Sequence, residues 1–188
     1  MSLLQRVRGG ASLGRVAWLL AAALACGAPE PSQRAAAAAV DAPLAPGLTS
    51  LAAVGEAVVA GLNSRDADAL AGLLVREEDF TGRLYPALSR HQAGAQADPA
   101  FLFHMQRRES LDDIGHALDA YGGGALEFVA VEPARVERRP GVTLHREPRL
   151  VVRDGGRLRR LRLLASIIEH DATHTFTLLA FKLRGEEE

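Results

Sequence analysis

Apolar residues recur at steps of three and four along the first part of the folded region. After Thr49-Ser50, which can cap a helix start, the pattern predicts one amphipathic helix that ends near Asn63. A second short helix is predicted from Asp66. The apolar positions of the two helices are Leu51, Val54, Val58, Leu62, Leu70, Leu73 and Leu74.

The same period continues through Phe80, Leu84 and Leu88, but Gly82 and Pro86 interrupt it. Glycine and proline both disfavour a regular helix interior. The pattern therefore predicts helical structure over Phe80, Leu84 and Leu88 without fixing its bounds.

Residues 98–124 begin with Asp98 as a cap and Pro99 at the first helical position, and they end on three glycines. Phe101 and Met105 point to one side of a helix, whereas Ile114 and the other later apolar residues point to nearly the opposite side. The run Ser110-Leu111-Asp112-Asp113 has the form of a capping box. We therefore expect a break or a new helix start near Ser110.

After Gly124 the hydrophobic period changes to two, which indicates strands. Pro148 lies within the second predicted strand and indicates a bulge or a sheet edge there. Helices followed by a run of antiparallel strands predict an α+β domain, with the N-terminal helices packed on a curved antiparallel meander. The predicted strands are ALEFVAVE, TLHREPRLVVR, RLRRLRLLASII and HTFTLLAFKLR, at residues 125–132, 143–153, 157–168 and 174–184.

The N-terminus has a different pattern. A basic stretch with Arg6, Arg8 and Arg15 precedes an apolar run over residues 16–25. That run is about half of the ~20 residues that a membrane-spanning helix needs. Residues 1–25 are therefore predicted to be a cleaved export signal.

The only cysteine of the chain stands at the end of this signal. Ala23-Leu24-Ala25-Cys26 resembles the lipobox of bacterial lipoproteins, although leucine stands one place before the small residue and not the commoner two. The resemblance implies that Cys26 becomes the first mature residue and carries a diacylglyceryl thioether and an acyl chain such as palmitate. It also implies a bacterial envelope location, at the outer membrane where the cell has one. The alternative is an ordinary cleaved signal peptide that contains a cysteine.

The remaining chain divides by composition. Residues 26–47 contain Pro29, Pro31, Pro43 and Pro46 with a five-alanine run, which predicts a lipidated tether. Residues 48–184 are long enough for one domain with its own core, and residues 185–188 form an acidic tail. With Cys26 lipidated, that domain has no cysteine for a disulfide.

Charge is unevenly distributed in a chain whose formal net charge is −1. Residues 48–132 hold six basic and 13 acidic residues, whereas residues 138–162 hold nine arginines against Glu147 and Asp154. This asymmetry indicates either anion steering toward the sheet or arginines on a solvent-facing strand surface. Nucleic acid is not expected as a partner, because no aromatic residue falls between Phe128 and Phe176 to stack a base.

Two polar patterns suggest chemistry. His170, Asp171 and His174 have metal-ligand residue types, but they span a predicted hairpin turn and no cysteine is available nearby. A second pattern places polar residues four apart at His104, Arg108, Asp112 and His116, and the expected break near Ser110 leaves only the last two as a pair on a solvated face. No metal, cofactor or catalytic residue is therefore expected.

The order of elements resembles the nuclear transport factor 2-like superfamily, also called SnoaL-like or cystatin-like. The resemblance lies in AVVAGLNSRDADALAGLL at 57–74 and LRLLASIIEHDATHTFTLLAFKL at 161–183, and it covers most of residues 50–184. It implies a cone of helices on a curved sheet. In addition, VREEDFTGRLYPAL resembles a segment of bacterial lipoproteins to which no activity is attached.

Enzymes of that superfamily place an acid, histidine or tyrosine toward a cavity between helices and sheet. The residues here that match by pattern are Tyr85, His104, Tyr121 and Glu127, and none has a catalytic spacing. We therefore expect a non-catalytic binding or assembly domain, tethered to the membrane through Cys26. A small isomerase, cyclase or dehydratase is the alternative.

The last two predicted strands are apolar on both faces in their middle, at residues 161–168 and 176–183. One face must cover the helices. The other face is expected to meet a protein partner or an apolar small molecule.

Overall fold

The computed structural model describes residues 42–89 and 97–187, with side chains described as far as Gly185. Cys26, the export signal and most of the predicted tether lie outside the described residues. The described chain contains helices followed by antiparallel strands, so the predicted α+β class is confirmed.

Two helices open the domain where the apolar stripes predict them. Helix α1 spans Leu51–Ser64, and the Ser50 side chain caps it by accepting a hydrogen bond from the Ala53 N–H at 3.0 Å. Helix α2 spans Ala67–Gly72 and is capped by Asp66 in the same way. These caps satisfy backbone donors that have no partner within the helix.

The segment around Gly82 and Pro86 is helical but irregular. It consists of α3 at Glu77–Asp79, a π-helical segment at Phe80–Leu84 and α4 at Tyr85–Ser89. Pro86 has no N–H to give to an α-helical ladder, so it is compatible with the wider turn that precedes it.

Helix α5 runs without interruption over Pro99–Tyr121, so the predicted break near Ser110 is wrong. The buried stripe passes through Phe103, Ser110 and Ile114, and Ser110 is 1% exposed. Phe101 and Met105 lie on the outer side, at 57% and 44% exposure. The prediction failed because it assigned large apolar residues to the buried face and a serine to a helix start.

The strands form two four-stranded antiparallel sheets, with the orders β1-β4-β5-β8 and β2-β3-β6-β7. Two predicted strands are each divided between the sheets, at residues 147–148 and 162–163. Strand β2 was not predicted, and β8 lies in the predicted acidic tail. The strands are β1 Glu127–Glu132, β2 Arg135–Arg139, β3 Val142–Arg146, β4 Arg149–Asp154, β5 Arg157–Leu161, β6 Leu164–His170, β7 Thr175–Phe181 and β8 Glu186–Glu187.

Strand β6 is buried on both faces. Within this strand the consecutive residues Ile167 and Ile168 are both fully buried, but they belong to two different hydrophobic clusters. The first core joins Ile167 to α1, α2, the end of α5 and strands β4 and β5. The second core joins Ile168 to β3, the irregular helical segment and Phe103. Around Ile168 the second face of the sheet is therefore covered by the domain itself, whereas Leu179 of β7 is only partly buried against the same core.

The second core also contains Leu44, which is 1% exposed. The backbone beside it is held by side chains, since Ala45 N–H donates to Asp79 Oδ2 at 3.1 Å and Thr177 Oγ1 donates to Ala45 O at 3.1 Å. Arg83 pairs with Asp79 at 3.0 Å and donates to the carbonyls of Ala42 and Pro43. Residues 42–47, which the composition assigns to the tether, therefore contact the folded domain through Leu44 and Ala45.

Replacing Leu44 with alanine should lower the free energy of unfolding by about 2–4 kcal/mol, because it removes a buried side chain and leaves a cavity. Chemical denaturation measures this loss. The matched control is Leu158→Ala, at a leucine that is 51% exposed, for which a change below about 0.5 kcal/mol is expected. Equal effects of the two substitutions would mean that residues 42–47 do not pack on the domain.

Candidate anion-binding site

One face of strand β2 carries charged side chains. Alternate residues of a strand point the same way, so Arg135, Glu137 and Arg139 share a face. The antiparallel register places Arg146 of β3 opposite Arg135, which brings a third arginine to that face. We call Arg135, Arg139 and Arg146, together with Glu137, the arginine cluster.

Glu137 is the centre of the cluster. Its Oε2 lies 3.6 Å from Arg139 Nη2 and 3.6 Å from Arg146 Nε, and its Oε1 pairs with Arg135 Nη2. The Glu137 side chain is 20% exposed, so its partners screen it from most of the solvent. Three guanidinium groups share one carboxylate, which leaves the cluster with an excess of two positive charges.

A cavity of about 390 Å³ opens beside Arg146, and we call it the arginine cavity. Arg146 Nη1 donates to Ser166 Oγ at 3.3 Å on its wall, and Arg184 pairs with Glu147 at 2.8 Å. The hydrogen bond and the charge of Arg184 lower the pKa of Glu147, so this acid stays ionised. The lining residues are Ala134, Arg135, Arg146, Glu147, Ala165, Ser166 and Arg184.

A second cavity, of about 410 Å³, has Arg146 in its wall as well, and we call it the apolar cavity. It lies among α4, α5, the π-helical segment and the β2-β3-β6-β7 sheet. Its lining is mixed, and polar groups, among them Arg139, Arg146 and the Gln106 amide, make up more of it than the apolar side chains to which the name refers. The described lining residues are Phe80, Tyr85, Leu88, Ser89, Leu102, Gln106, Arg139, Arg146 and Leu179.

Sequence reasoning did not find the cluster. The basic sheet half was visible in the composition, but β2 was not predicted as a strand. The pairing of Arg135 with Arg146 depends on a hairpin register that no local motif displays.

The histidines of the H-D-A-T-H motif do not act together. His170 is buried, with Nε2 3.1 Å from Arg83 Nη2 and Nδ1 2.8 Å from Thr173 Oγ1. His174 is exposed at the hairpin and bonds to Glu169. Among residues 42–89 and 97–187, no group of three or more metal-ligating side chains is placed to hold an ion.

The structure instead brings together His145, Glu169 and His174, which the sequence reasoning did not group. Glu169 accepts from His145 Nε2 at 3.3 Å and from His174 Nδ1 at 3.1 Å, so one carboxylate joins two imidazoles. Burial raises the pKa of Glu169, but the hydrogen bonds and charges of His174 and His145 outweigh it and lower the pKa below its usual value. Both imidazoles are engaged by the same acid, which ties β3 to the β6–β7 hairpin.

The polar residues spaced four apart on α5 do share a face, because the helix is continuous. His104, Arg108, Asp112 and His116 are all exposed on its outer side. The expectation that the two halves would face apart is therefore wrong. His104 pairs with Glu77 at 3.5 Å, and the two side chains are 65% and 46% exposed, respectively.

The four residues considered for an enzyme are each engaged elsewhere. Tyr85 donates to the Ala97 carbonyl at 2.9 Å, and His104 pairs with Glu77. The Tyr121 ring lies 5.6 Å from the Arg159 guanidinium, and Glu127 pairs with Arg153 at 3.4 Å. Within the described part of the chain, the contacts of these four residues do not join them to one another.

Neither a family model, nor a curated protein, nor a solved structure matches this chain. Within the described ranges, no helix combines the length and the apolar character that crossing a membrane requires.

The Glu169 contacts predict a pH-dependent contribution to stability. Since the folded pKa is lower than the unfolded value of about 4.3, the contribution is present above that pH and is lost as the pH falls through the folded pKa. Glu169→Gln should cost about 1 kcal/mol at pH 6, where the carboxylate is ionised. That difference from the unsubstituted protein should shrink at pH 3.

Denaturation at both pH values measures the effect. Glu109→Gln is the control, at an exposed acid on α5, and should change stability little at either pH. A Glu169→Gln deficit that is the same at pH 6 and pH 3 would contradict the assignment.

Proposed function

We propose that this chain is a lipid-anchored binding module of the bacterial envelope, and that its domain binds an anionic group at the arginine cluster. The anchor is a lipid on Cys26, which rests on the lipobox-like sequence that ends the export signal. Two or more acyl chains hold a protein on a membrane stably, whereas a single chain does so only marginally.

The observation that carries the proposal is the ratio of guanidinium groups to carboxylates. Each arginine has five N–H donors in a planar fork, whereas Glu137 offers two oxygens to three arginines. The buried Arg146 Nε atom lies 3.6 Å from Glu137 Oε2 and has no hydrogen-bond partner among the described residues. Guanidinium forks bind carboxylate and phosphate in bidentate geometry, so an anion fits the donors that Glu137 leaves over.

The charge distribution supports the same ligand. The cluster lies in the basic half of the domain, and the acidic residues are concentrated in the helices. A cavity whose lining carries an excess of one sign of charge raises the local concentration of the opposite ion. In the arginine cavity the described charged lining residues are Arg135, Arg146, Arg184 and Glu147.

The proposal includes a cone-like arrangement of the nuclear transport factor 2-like kind. It is supported by the chain order, since β1 and β2, β3 and β4, and β5 and β6 each follow one another after only two residues. The members of each pair lie in different sheets, and the described strands pair in antiparallel fashion.

Inorganic phosphate should bind the purified protein, and Arg146→Gln should weaken that binding by about tenfold or more, because a charge-assisted hydrogen bond contributes about 1.5–3 kcal/mol. Titration followed by calorimetry or by NMR shifts measures it. Arg138→Gln is the matched control, because Arg138 is exposed on the opposite face of β2 from Arg139.

A second variant, Arg135→Gln, is useful if Arg146→Gln does not fold. The Arg135 side chain is 70% exposed, so its substitution should not disturb the fold. It should also weaken phosphate binding, and added salt should weaken it further. Absence of phosphate binding, or equal losses in Arg138→Gln and Arg146→Gln, would contradict the anion site.

The anchor is tested separately by intact mass. Protein recovered from the membrane fraction of bacteria expressing the whole chain should begin at Cys26 and carry the added mass of a diacylglyceryl group and an acyl chain. Cys26→Ser should remove that mass and shift the protein out of the membrane fraction. A membrane-fraction protein with an unmodified thiol at Cys26, or one that begins at another residue, would rule out lipidation there.

A further inference from the structure

We infer that the anion bound at the arginine cluster is the head group of a single-chain amphiphile, whose apolar chain occupies the apolar cavity. This inference rests on the proposed anion site and names its ligand class. It joins the two cavities into one site, because Arg146 stands in the wall of both.

The apolar cavity lies against an incompletely covered part of the second core. Four half-buried side chains pack on that core, and all four also line the cavity. Buried hydrophobic residues seal the rest of this core within the described chain. An apolar chain in the cavity would therefore remove from water a surface that the domain leaves partly exposed. The four side chains are Tyr85, Leu88, Leu102 and Leu179.

Two of the polar side chains that line the cavity already have hydrogen-bond partners. Tyr85 already donates to the Ala97 carbonyl, and Gln106 Nε2 donates to the Leu179 carbonyl at 2.7 Å. The charged side chains among the described lining residues are Arg139 and Arg146, and no acid is among them. Both arginines belong to the cluster around Glu137, and Arg146 also lines the arginine cavity.

The size of the cavity selects the kind of occupant. A volume of about 410 Å³ lies at the lower end of the range of small-molecule sites. A stable interface with a second protein needs roughly 800 Å² from each partner, which a cavity of this size does not provide. A small molecule with one charged end and one apolar chain matches both the volume and the charge distribution.

The test is a homologous series of alkyl phosphates, from ethyl to decyl, below their micelle concentrations. They are titrated into Cys26→Ser protein, so that no attached lipid competes. Each added methylene should lower Kd about threefold to fourfold until the cavity is filled, since burying one methylene contributes about 0.8 kcal/mol. Alkyl carboxylates of the same lengths in parallel distinguish a phosphate head from a carboxylate head.

Substitutions in the cavity wall test whether the alkyl chain of the ligand lies in the apolar cavity. Leu88→Gln removes apolar wall without adding charge, so it should weaken octyl phosphate several-fold and leave inorganic phosphate unchanged. The matched control is Leu158→Gln, at an exposed leucine on β5, and it should change neither ligand. Should Leu88→Gln fail to fold, Leu88→Ala gives the second test, because it shortens the same apolar wall without adding a polar group, and it should weaken octyl phosphate while leaving inorganic phosphate unchanged.

The outcomes separate the two proposals. If inorganic phosphate does not bind, both the anion-site proposal and the amphiphile proposal are wrong. If phosphate binds but affinity is independent of chain length, or Leu88→Gln leaves octyl phosphate unaffected, only the amphiphile is overturned. Octanol that binds as tightly as octyl phosphate would also overturn it, since the head group would then contribute nothing.

Discussion

The architecture depends on the burial of both faces of strand β6. Ile167 and Ile168 are consecutive, so their side chains point in opposite directions, and each lies in a separate hydrophobic core. Both sides of the sheet must therefore be covered. Helices α1, α2 and α5 cover the first side, and the second needs the irregular helical segment and Leu44. Residues 42–47 are consequently part of the folded domain, although their composition is that of a linker.

The second core also determines where the arginine cluster lies. Toward Val142 and Leu144 of β3 the sheet face is covered and apolar, whereas at Arg146 and along β2 the covering ends and the same face becomes charged. Arginine suits such a boundary, because its stem packs against apolar atoms while its guanidinium remains hydrated or paired. The cavities therefore form at the edge of the second core, where the sheet continues beyond the helices.

Features encoded within a few residues were predictable, and features that depend on long-range pairing were not. The caps at Ser50, Asp66 and Asp98 and the change of hydrophobic period after Gly124 give the helices, most strands and the α+β class. The break at Ser110 was wrong because tertiary packing buries a serine in mid-helix. The cluster and the Glu169 contacts were missed for one reason. Both join residues of different strands, and the register that aligns them is set by the whole sheet.

The second core contacts both the segment that follows the proposed anchor and the proposed ligand site. Leu44, which follows the proposed anchor in sequence, lies in the second core, and the side chains lining the apolar cavity pack against the same cluster. Residue 44 and the side chains that line the apolar cavity therefore depend on one hydrophobic cluster, although they are far apart in sequence.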